Sequence, residues 1–532
     1  MILISKLYYA AALLTVVILG GCASLPPGAD FPKNTSTAFE HPENTLLGKN
    51  FDKAAHANAG NSGFRIIPVG ADGFLMRMQM IKAAEHTLDL QYYIFHGDET
   101  GRLLTGAILS AADRGVRVRI LIDDGETVDG DEQISVLEAH PSIEIRIFNP
   151  FNYRGHIQFF RATEFMFNAA RLDYRMHNKL LVIDNSIALM GGRNIGDQYF
   201  QIDPESQFAD DDLFAAGPIT QHLSMTFDEY WNNALSIPVK ALSSETHSLL
   251  ALNDHRQELK EESRQLKADG VDYVKQIATG EPFNGIISGR LPLIWAHAQL
   301  VYDSPDKKKV ESGAMVGRLM QREVANATIE VQSELLMITP YLIPGKEGMQ
   351  LFKDLRQRHV HVRILTNSLE SSAMLLAQAG YMHYRKPLLE DGVELYEIRA
   401  LLENSKGSGQ TPVISRYGNY SLHGKLFVLD RKRLFIGSMN FDQRSMHLNT
   451  EIGLIIDSPE LAQQVAARFE AMVQPGNAYR LTLSTDNAAS QNIVWHTQIN
   501  KEPVEYDIEP ARTNWQRFKV TILSLLPLDS EL

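Results

Sequence analysis

The sequence predicts an α/β protein of two pseudo-symmetric domains, each a mixed or mostly parallel sheet flanked by helices, with one active site shared between them. The first observation is a duplicated pattern: H-x-K, four residues, D, six residues, then G-[GS]-x-N. It occurs at His177, Lys179, Asp184, Gly191, Gly192 and Asn194 and again at His423, Lys425, Asp430, Gly437, Ser438 and Asn440. The second is that the surroundings repeat as well: Ile120 precedes His177 by 57 residues and Ile364 precedes His423 by 59, each within an apolar run of strand type. The third is size, since 532 residues with 44% hydrophobic content exceed one usual domain and suffice for a large core.

Along the first copy, Leu88 to Phe95 reads as a strand and an amphipathic helix follows. Val116 to Asp123, Ile143 to Phe148 and the motif segment Lys179 to Ile183 are the next strands. Their counterparts are Leu335 to Leu342, Val360 to Thr366, Val393 to Ile398 and Lys425 to Leu429. Strands alternating with helices predict right-handed crossovers. Past each motif comes a short strand that starts on a carboxylate, Asp212 or Glu451, and then a helix, Ile219 to Trp231 or Glu460 to Met472. The domains are expected at 64–240 and 311–475. Residues 241–310, a linker or insertion between them, find no counterpart in either repeat, and Arg256 to Lys267 within them reads as a solvated helix. Residues 476–532 form a tail whose stretch Trp515 to Leu526 is amphipathic, suited to docking on the protein's own core or to touching a membrane.

Two histidines in duplicate frames point to one site built from two halves. The chemistry that fits is phosphodiester exchange: one imidazole attacks phosphorus, the other protonates the leaving oxygen, and Lys179, Lys425, Asn194 and Asn440 hold the non-bridging oxygens. No metal or cofactor is expected if those donors neutralise the phosphoryl charge, and a metal reading of the run Asp210, Asp211, Asp212 is disfavoured because the second copy has no such cluster. Asp212 and Glu451 are expected to orient the two imidazoles. Asp184 and Asp430, five residues past each lysine, are read as structural acids. The looser stretch Asn404 to Tyr420, just before His423, reads as a lid, and Tyr92, Tyr93 and Phe95 as part of an apolar cover over the site, with core packing the alternative for these aromatics.

A formal net charge of −13 argues against a non-specific nucleic-acid binder. The single cysteine, Cys22, ends Leu19-Gly20-Gly21-Cys22 after Lys6 and roughly 13 apolar residues from Leu7 to Leu19. This resembles a bacterial lipobox, which implies a signal peptide over 1–21 and acyl chains on Cys22. Ala23 follows it and favours the periplasmic side of the outer membrane over the inner. Residues 22–63 read as a tether whose later half has the alternative of packing on the first domain.

The paired motifs are similar to those of the phospholipase D superfamily over about residues 60–475. A closer resemblance, to the class C bacterial cardiolipin synthases, rests on LDLQYY at 88–93, RGVRVRILIDD at 114–124, RMHNK at 175–179, GGRNIGDQYF at 191–200, LPLIW at 291–295, ILTNSL at 364–369, GSMNFDQRS at 437–445 and LNTEIG at 448–453. The likeness implies a two-step transfer through a phosphohistidine, with His177 favoured as nucleophile over the reverse and His423 as acid and then base. Gly192 and Ser438 would complete the phosphate cradle, and Arg171, Arg175 and Arg193 are candidates for contacting a lipid phosphate. The implied partners are membrane phospholipids, namely phosphatidylglycerol and phosphatidylethanolamine, with no nucleic acid. The same fold hosts phospholipid hydrolases and nucleases, so hydrolysis to phosphatidic acid stands as the alternative. Maturation and oligomer partners are left open.

Overall fold

Among the described residues eighteen strands join edge to edge in one sheet that has the same strand order read outward from its centre in either direction. The computed structural model describes residues 25–125, 135–155, 157–202, 206–242, 248–268, 281–402, 419–484 and 492–526. The first half holds β1 (Ser62–Ile67), β2 (Thr87–Tyr92), β3 (Arg117–Asp123), β4 (Ile143–Phe148), β5 (Leu180–Ile183), β6 (Ile187–Gly191), β7 (Ser206–Ala209), β8 (Asp212–Ala216) and β9 (Ser236–Pro238). The second holds β10 (Ile294–Tyr302), β11 (Glu334–Ile338), β12 (His361–Asn367), β13 (Glu394–Ile398), β14 (Asn419–Leu422), β15 (Leu426–Leu429), β16 (Arg433–Gly437), β17 (Ile452–Asp457) and β18 (Ala478–Leu483), with β19 (Ile493–Ile499) and β20 (Glu502–Tyr506) extending its edge. Outward from β1 lie β8, β6, β5, β2, β3, β4 and β9; outward from β10 lie β17, β16, β15, β11, β12, β13 and β18. The two series meet where β1 pairs antiparallel with β10, so the pseudo-dyad passes between these strands.

Each half is mixed. Three neighbouring strands of the large sheet run parallel in each half, β2-β3-β4 and β11-β12-β13, and its other pairings are antiparallel; β7 and β14 form a separate parallel pair between the halves. β2 is buried at every residue, as a strand covered on both faces is, although Thr87, Asp89 and Gln91 alternate with Leu88, Leu90 and Tyr92; the buried Asp89 carboxylate is satisfied by Arg119. The crossover helix Glu99–Asp113 starts at Asp98, whose side chain accepts the Gly101 amide. One buried cluster takes Leu121, Phe148 and Leu180 from the first half and Leu336, Leu365 and Leu426 from the second, so the halves share a core.

The structure also differs from the expectations. β10 lies inside 241–310; it is the counterpart of β1 and the strand that seams the halves. Its burial alternates irregularly along nine residues. Residues 25–61 follow the packed alternative to a tether: Lys33 donates to the Asn233, Ala234 and Ser236 carbonyls, and Leu47 and Phe51 of the helix Leu46–Ala57 enter the core. The tail helix Asn514–Leu523 docks through Val520 on Leu369 and Ala379, and leaves Trp515 and Phe518 exposed and stacked on each other. Cys22 and residues 403–418, with most of the expected lid, lie outside the described residues.

Candidate active site

Each motif histidine sits just ahead of a central strand, and each meets a carboxylate from the opposite half. His177 Nδ1 lies 2.9 Å from Glu451 Oε2, and His423 Nδ1 lies 2.5 Å from Asp210 Oδ2. The main chain sets up this exchange. The His177 amide donates to the Thr450 carbonyl at 2.9 Å, and the His423 amide to the Ala209 carbonyl at 2.7 Å, in the register where β7 pairs parallel with β14. Both histidines are more than nine-tenths buried. Tyr93, just after β2, meets the His177 ring edge-on with centroids 5.1 Å apart; Tyr199 meets His423 likewise at 5.3 Å, and Phe208 stacks on His423 at 5.1 Å. Of the three expected cover aromatics Tyr93 lies against a motif histidine, whereas Tyr92 is buried against Arg77 and Phe95 is buried where its backbone bridges Ile195.

Asp212, expected to orient an imidazole, does not. It is fully buried between Arg77, at 2.7 Å, and Arg193, at 3.0 Å. The sheet register explains the slip. Gly191 pairs with Asp212 but Gly437 pairs with Gly453, so the partner of Glu451 is the residue two before Asp212, which is Asp210. The sequence holds the correct ruler: Asp210 precedes Pro218 by the same eight residues that separate Glu451 from Pro459, and each proline opens a helix. The three consecutive acids therefore take three separate partners: Asp210 on His423, Asp211 on Arg468 and Asp212 on the two arginines.

Several other expected roles move as well. Arg193 is fully buried and donates to Asp212 and to the Ile67 and Pro68 carbonyls, and Arg175 is committed to Asp123 and the Asn149 carbonyl, so both are tied into the scaffold. Arg171 is likewise turned onto Asn149 and Pro150. Gly192 and Ser438 lie against the two carboxylates. A Cβ at Gly192 would stand 2.2 Å from Asp210 Oδ1, whereas Ser438 Oγ donates to Glu451 at 2.5 Å. Asp184 accepts the Glu85, His86 and Thr87 amides, and Asp430 those of Gln332, Ser333 and Glu334, which pins each motif turn to the start of β2 or β11. Lys179 and Lys425 are buried and donate to the carbonyls of their own histidines. Asn194 Nδ2 donates to the Tyr199 hydroxyl at 2.9 Å, while the buried Asn440 Oδ1 meets no hydrogen-bond donor among the described residues.

Sequence reasoning misses several supports, among them Tyr199 and Phe208 against His423, and Asp303 with Lys307 behind Glu451. Asp303, just after β10, donates its amide to the Glu451 carbonyl at 3.0 Å and accepts the Glu451 amide on Oδ2 at 3.1 Å. Lys307 holds that carboxylate at 3.0 Å and also donates to the Ser445 and Asn449 carbonyls. A repeat search passes over both residues because neither belongs to a repeated motif.

Burial governs the charges. It pushes the Glu451 carboxyl up to about 7, against the pull of Lys179, the Ser438 hydroxyl and Lys307. Burial and the nearby Lys179 and Lys425 hold His177 well below the ordinary histidine value; burial and Lys425 bring His423 to about 3 in spite of Asp210. Burial opposes charge on Asp210 too, yet His423 and Lys425 keep its carboxyl below the usual range. Both imidazoles therefore rest neutral, the form a nitrogen nucleophile needs. Protonating Glu451 removes the charge that stabilises a His177 cation, so turnover is expected to fall as pH drops through about 7. Lys307 favours the ionised carboxyl, and a pH–rate profile of Lys307→Met should show this acid limb moved to higher pH.

Doubled half-sheets with cross-paired histidines define a protein of the phospholipase D superfamily. A sequence profile described as "Cardiolipin synthase, PLD-like domain" matches residues 78–231 and 324–473, and the chain belongs to that family. It is 36% identical over 470 residues to cardiolipin synthase C of Escherichia coli strain K12, covering 88% of this chain and 96% of that protein. It is 23% identical over 409 residues to the major cardiolipin synthase of Bacillus subtilis strain 168, covering 76% of this chain and 67% of that one. The crystal structure of phosphatidylserine synthase from Haemophilus influenzae Rd KW20 shares the fold, with a TM-score of 0.54 and 13% identity over 90% of this chain and all of that one.

Proposed function

We propose that the chain is a phosphatidyltransferase that makes cardiolipin from phosphatidylglycerol and a second phospholipid, phosphatidylglycerol or phosphatidylethanolamine, through a phosphohistidine. The observation that carries the reading is the reciprocal pairing of His177 with Glu451 and His423 with Asp210 in a chain of this family. His177 Nε2 attacks phosphorus while Glu451, on Nδ1, stabilises the cation that forms. The bond from phosphorus to the head-group oxygen breaks. His423, brought toward its cationic form by Asp210 and the incoming phosphodiester charge, gives that oxygen a proton. Neutral His423 then takes the proton of the acceptor hydroxyl, whose oxygen displaces Nε2 from phosphorus. Lys179 and Lys425 hold the non-bridging oxygens throughout.

The test is mass-spectrometric analysis of products from the purified full chain with phosphatidylglycerol, with and without phosphatidylethanolamine. Cardiolipin is the expected main product. Release of mostly phosphatidic acid from every mixture would move the chain to the phospholipases.

The lipobox-like stretch supports a second part of the reading, a lipoprotein held by Cys22 on the periplasmic side, in the outer membrane in preference to the inner. Among the described residues no helix is long and apolar enough to cross a membrane. Cys22→Ser should block maturation and take the protein out of the outer-membrane fraction; unchanged mass and fractionation would make the stretch a coincidence.

A further inference from the structure

The helix Gln158–Leu172 carries its amphipathic pattern inside out. Its polar side chains face the protein. Arg161 donates to the Asp124 carbonyl and lies 4.2 Å from the Phe151 ring centre, Glu164 accepts the Asn152 and Tyr153 amides, and Arg171 donates to Asn149 Oδ1 and the Pro150 carbonyl. Its large apolar side chains from 159 to 167 face outward, while Leu172 at its end is buried: Phe159, Met166 and Phe167 are 68%, 72% and 71% exposed, and Phe160 and Phe165 are exposed beside them. Positions 159 and 166, like 160 and 167, are seven apart, so these side chains line one stripe about two turns long. Single exposed apolar residues are ordinary, but a contiguous stripe of aromatics marks a surface that something covers.

What covers it is indicated by where the helix is fastened. Arg161 is anchored on Asp124, and the residue before Asp124, Asp123, binds both the Arg175 guanidinium and the Met176 amide. The next residue is His177. The stripe is thus the outer side of an element bolted to the ends of β3 and β4 that position the first histidine. Past the non-helical Asn168, at the far end of the helix, Lys308 donates to the Ala170 carbonyl at an exposed position, about one turn beyond the stripe. Exposed aromatics with a cation at their margin suit acyl chains beneath anionic phosphates. A substrate with two acyl chains must also leave a bilayer to reach His177.

We propose that this stripe seats in the surface of a phospholipid bilayer and holds the His177 side of the site against the lipid from which it draws. The inference rests on the phospholipid reading of the active site. The full chain is compared with its Phe159→Ser/Phe167→Ser and Phe159→Leu/Phe167→Leu variants on phosphatidylglycerol in two forms, as unilamellar vesicles and as a dihexanoyl species dissolved below its critical micelle concentration. The serine variant should lose about tenfold or more in kcat/KM on vesicles and stay within about twofold of the parent on dissolved lipid, while the leucine variant tracks the parent on both. Equal rates on vesicles would overturn the proposal. So would equal losses on both forms, which would make the stripe internal packing, or a change of oligomeric state in sedimentation, which would make a second copy the occupant. If the parent turns over neither form, the proposed activity fails and the stripe is judged alone, in vesicles with brominated acyl chains. Phe167→Trp fluorescence quenched beyond the parent's supports insertion, and no added quenching rules it out.

Discussion

Asparagine at His177 or at His423 alone should remove nearly all turnover, a loss on the order of 10⁴-fold or more, because the two imidazoles act on one phosphorus and neither half supplies both roles. Steady-state cardiolipin formation by each purified variant measures this. Substantial activity in either would show that the halves work independently. The same pair of variants assigns the roles. With the second histidine gone, an attacked lipid leaves its phosphoryl group on the first and has no base to clear it, so acid-labile label should accumulate on His177 in the His423→Asn protein. Label found on His423 in the His177→Asn protein would reverse the assignment.

Asp210→Asn and Asp212→Asn, two positions apart, should fail in different ways. Asp210 faces the His423 ring, so its amide loses the charge that supports the imidazolium; kcat should fall on the order of 10³-fold with the fold intact. Asp212 meets no histidine among the described residues, but it neutralises two buried guanidinium groups, and its loss should cost about 3–5 kcal/mol of stability by leaving them uncompensated. Thermal unfolding alongside kinetics separates the two outcomes. A stable, inactive Asp212→Asn protein would mean that the register of β6 with β8 had been misread.

The contrast between these neighbours shows what a sequence makes readable. The histidines and lysines stand in one contiguous motif whose spacing is copied without change, and the strands around them carry a strong local period, so both are legible. The observed strands Arg117–Asp123 and His361–Asn367 begin and end within a residue of their expected places. Glu451 is legible because it stands alone at its position, whereas Asp210 hides in a run of three acids and is singled out only by a register that no local pattern records. Asp303 and Lys307 act through a strand pairing that joins residues far apart in the chain, and a period cannot report such a pairing. The helix Gln158–Leu172 escapes detection as a surface element for a different reason, since an outward apolar face reads in sequence like an inward one.

The seam at β1 and β10 has a consequence for how the molecule comes into being. His177 must find Glu451 274 residues away, and His423 must find Asp210 across 213. Contacts of such long range close late, after local hairpins and crossovers have formed. Recovery of activity on refolding should therefore trail the recovery of helical and strand signal, and a chain still emerging during synthesis contains no half-competent catalyst. A lipid-modifying enzyme assembled in this way stays chemically silent until its last long-range pairings are made.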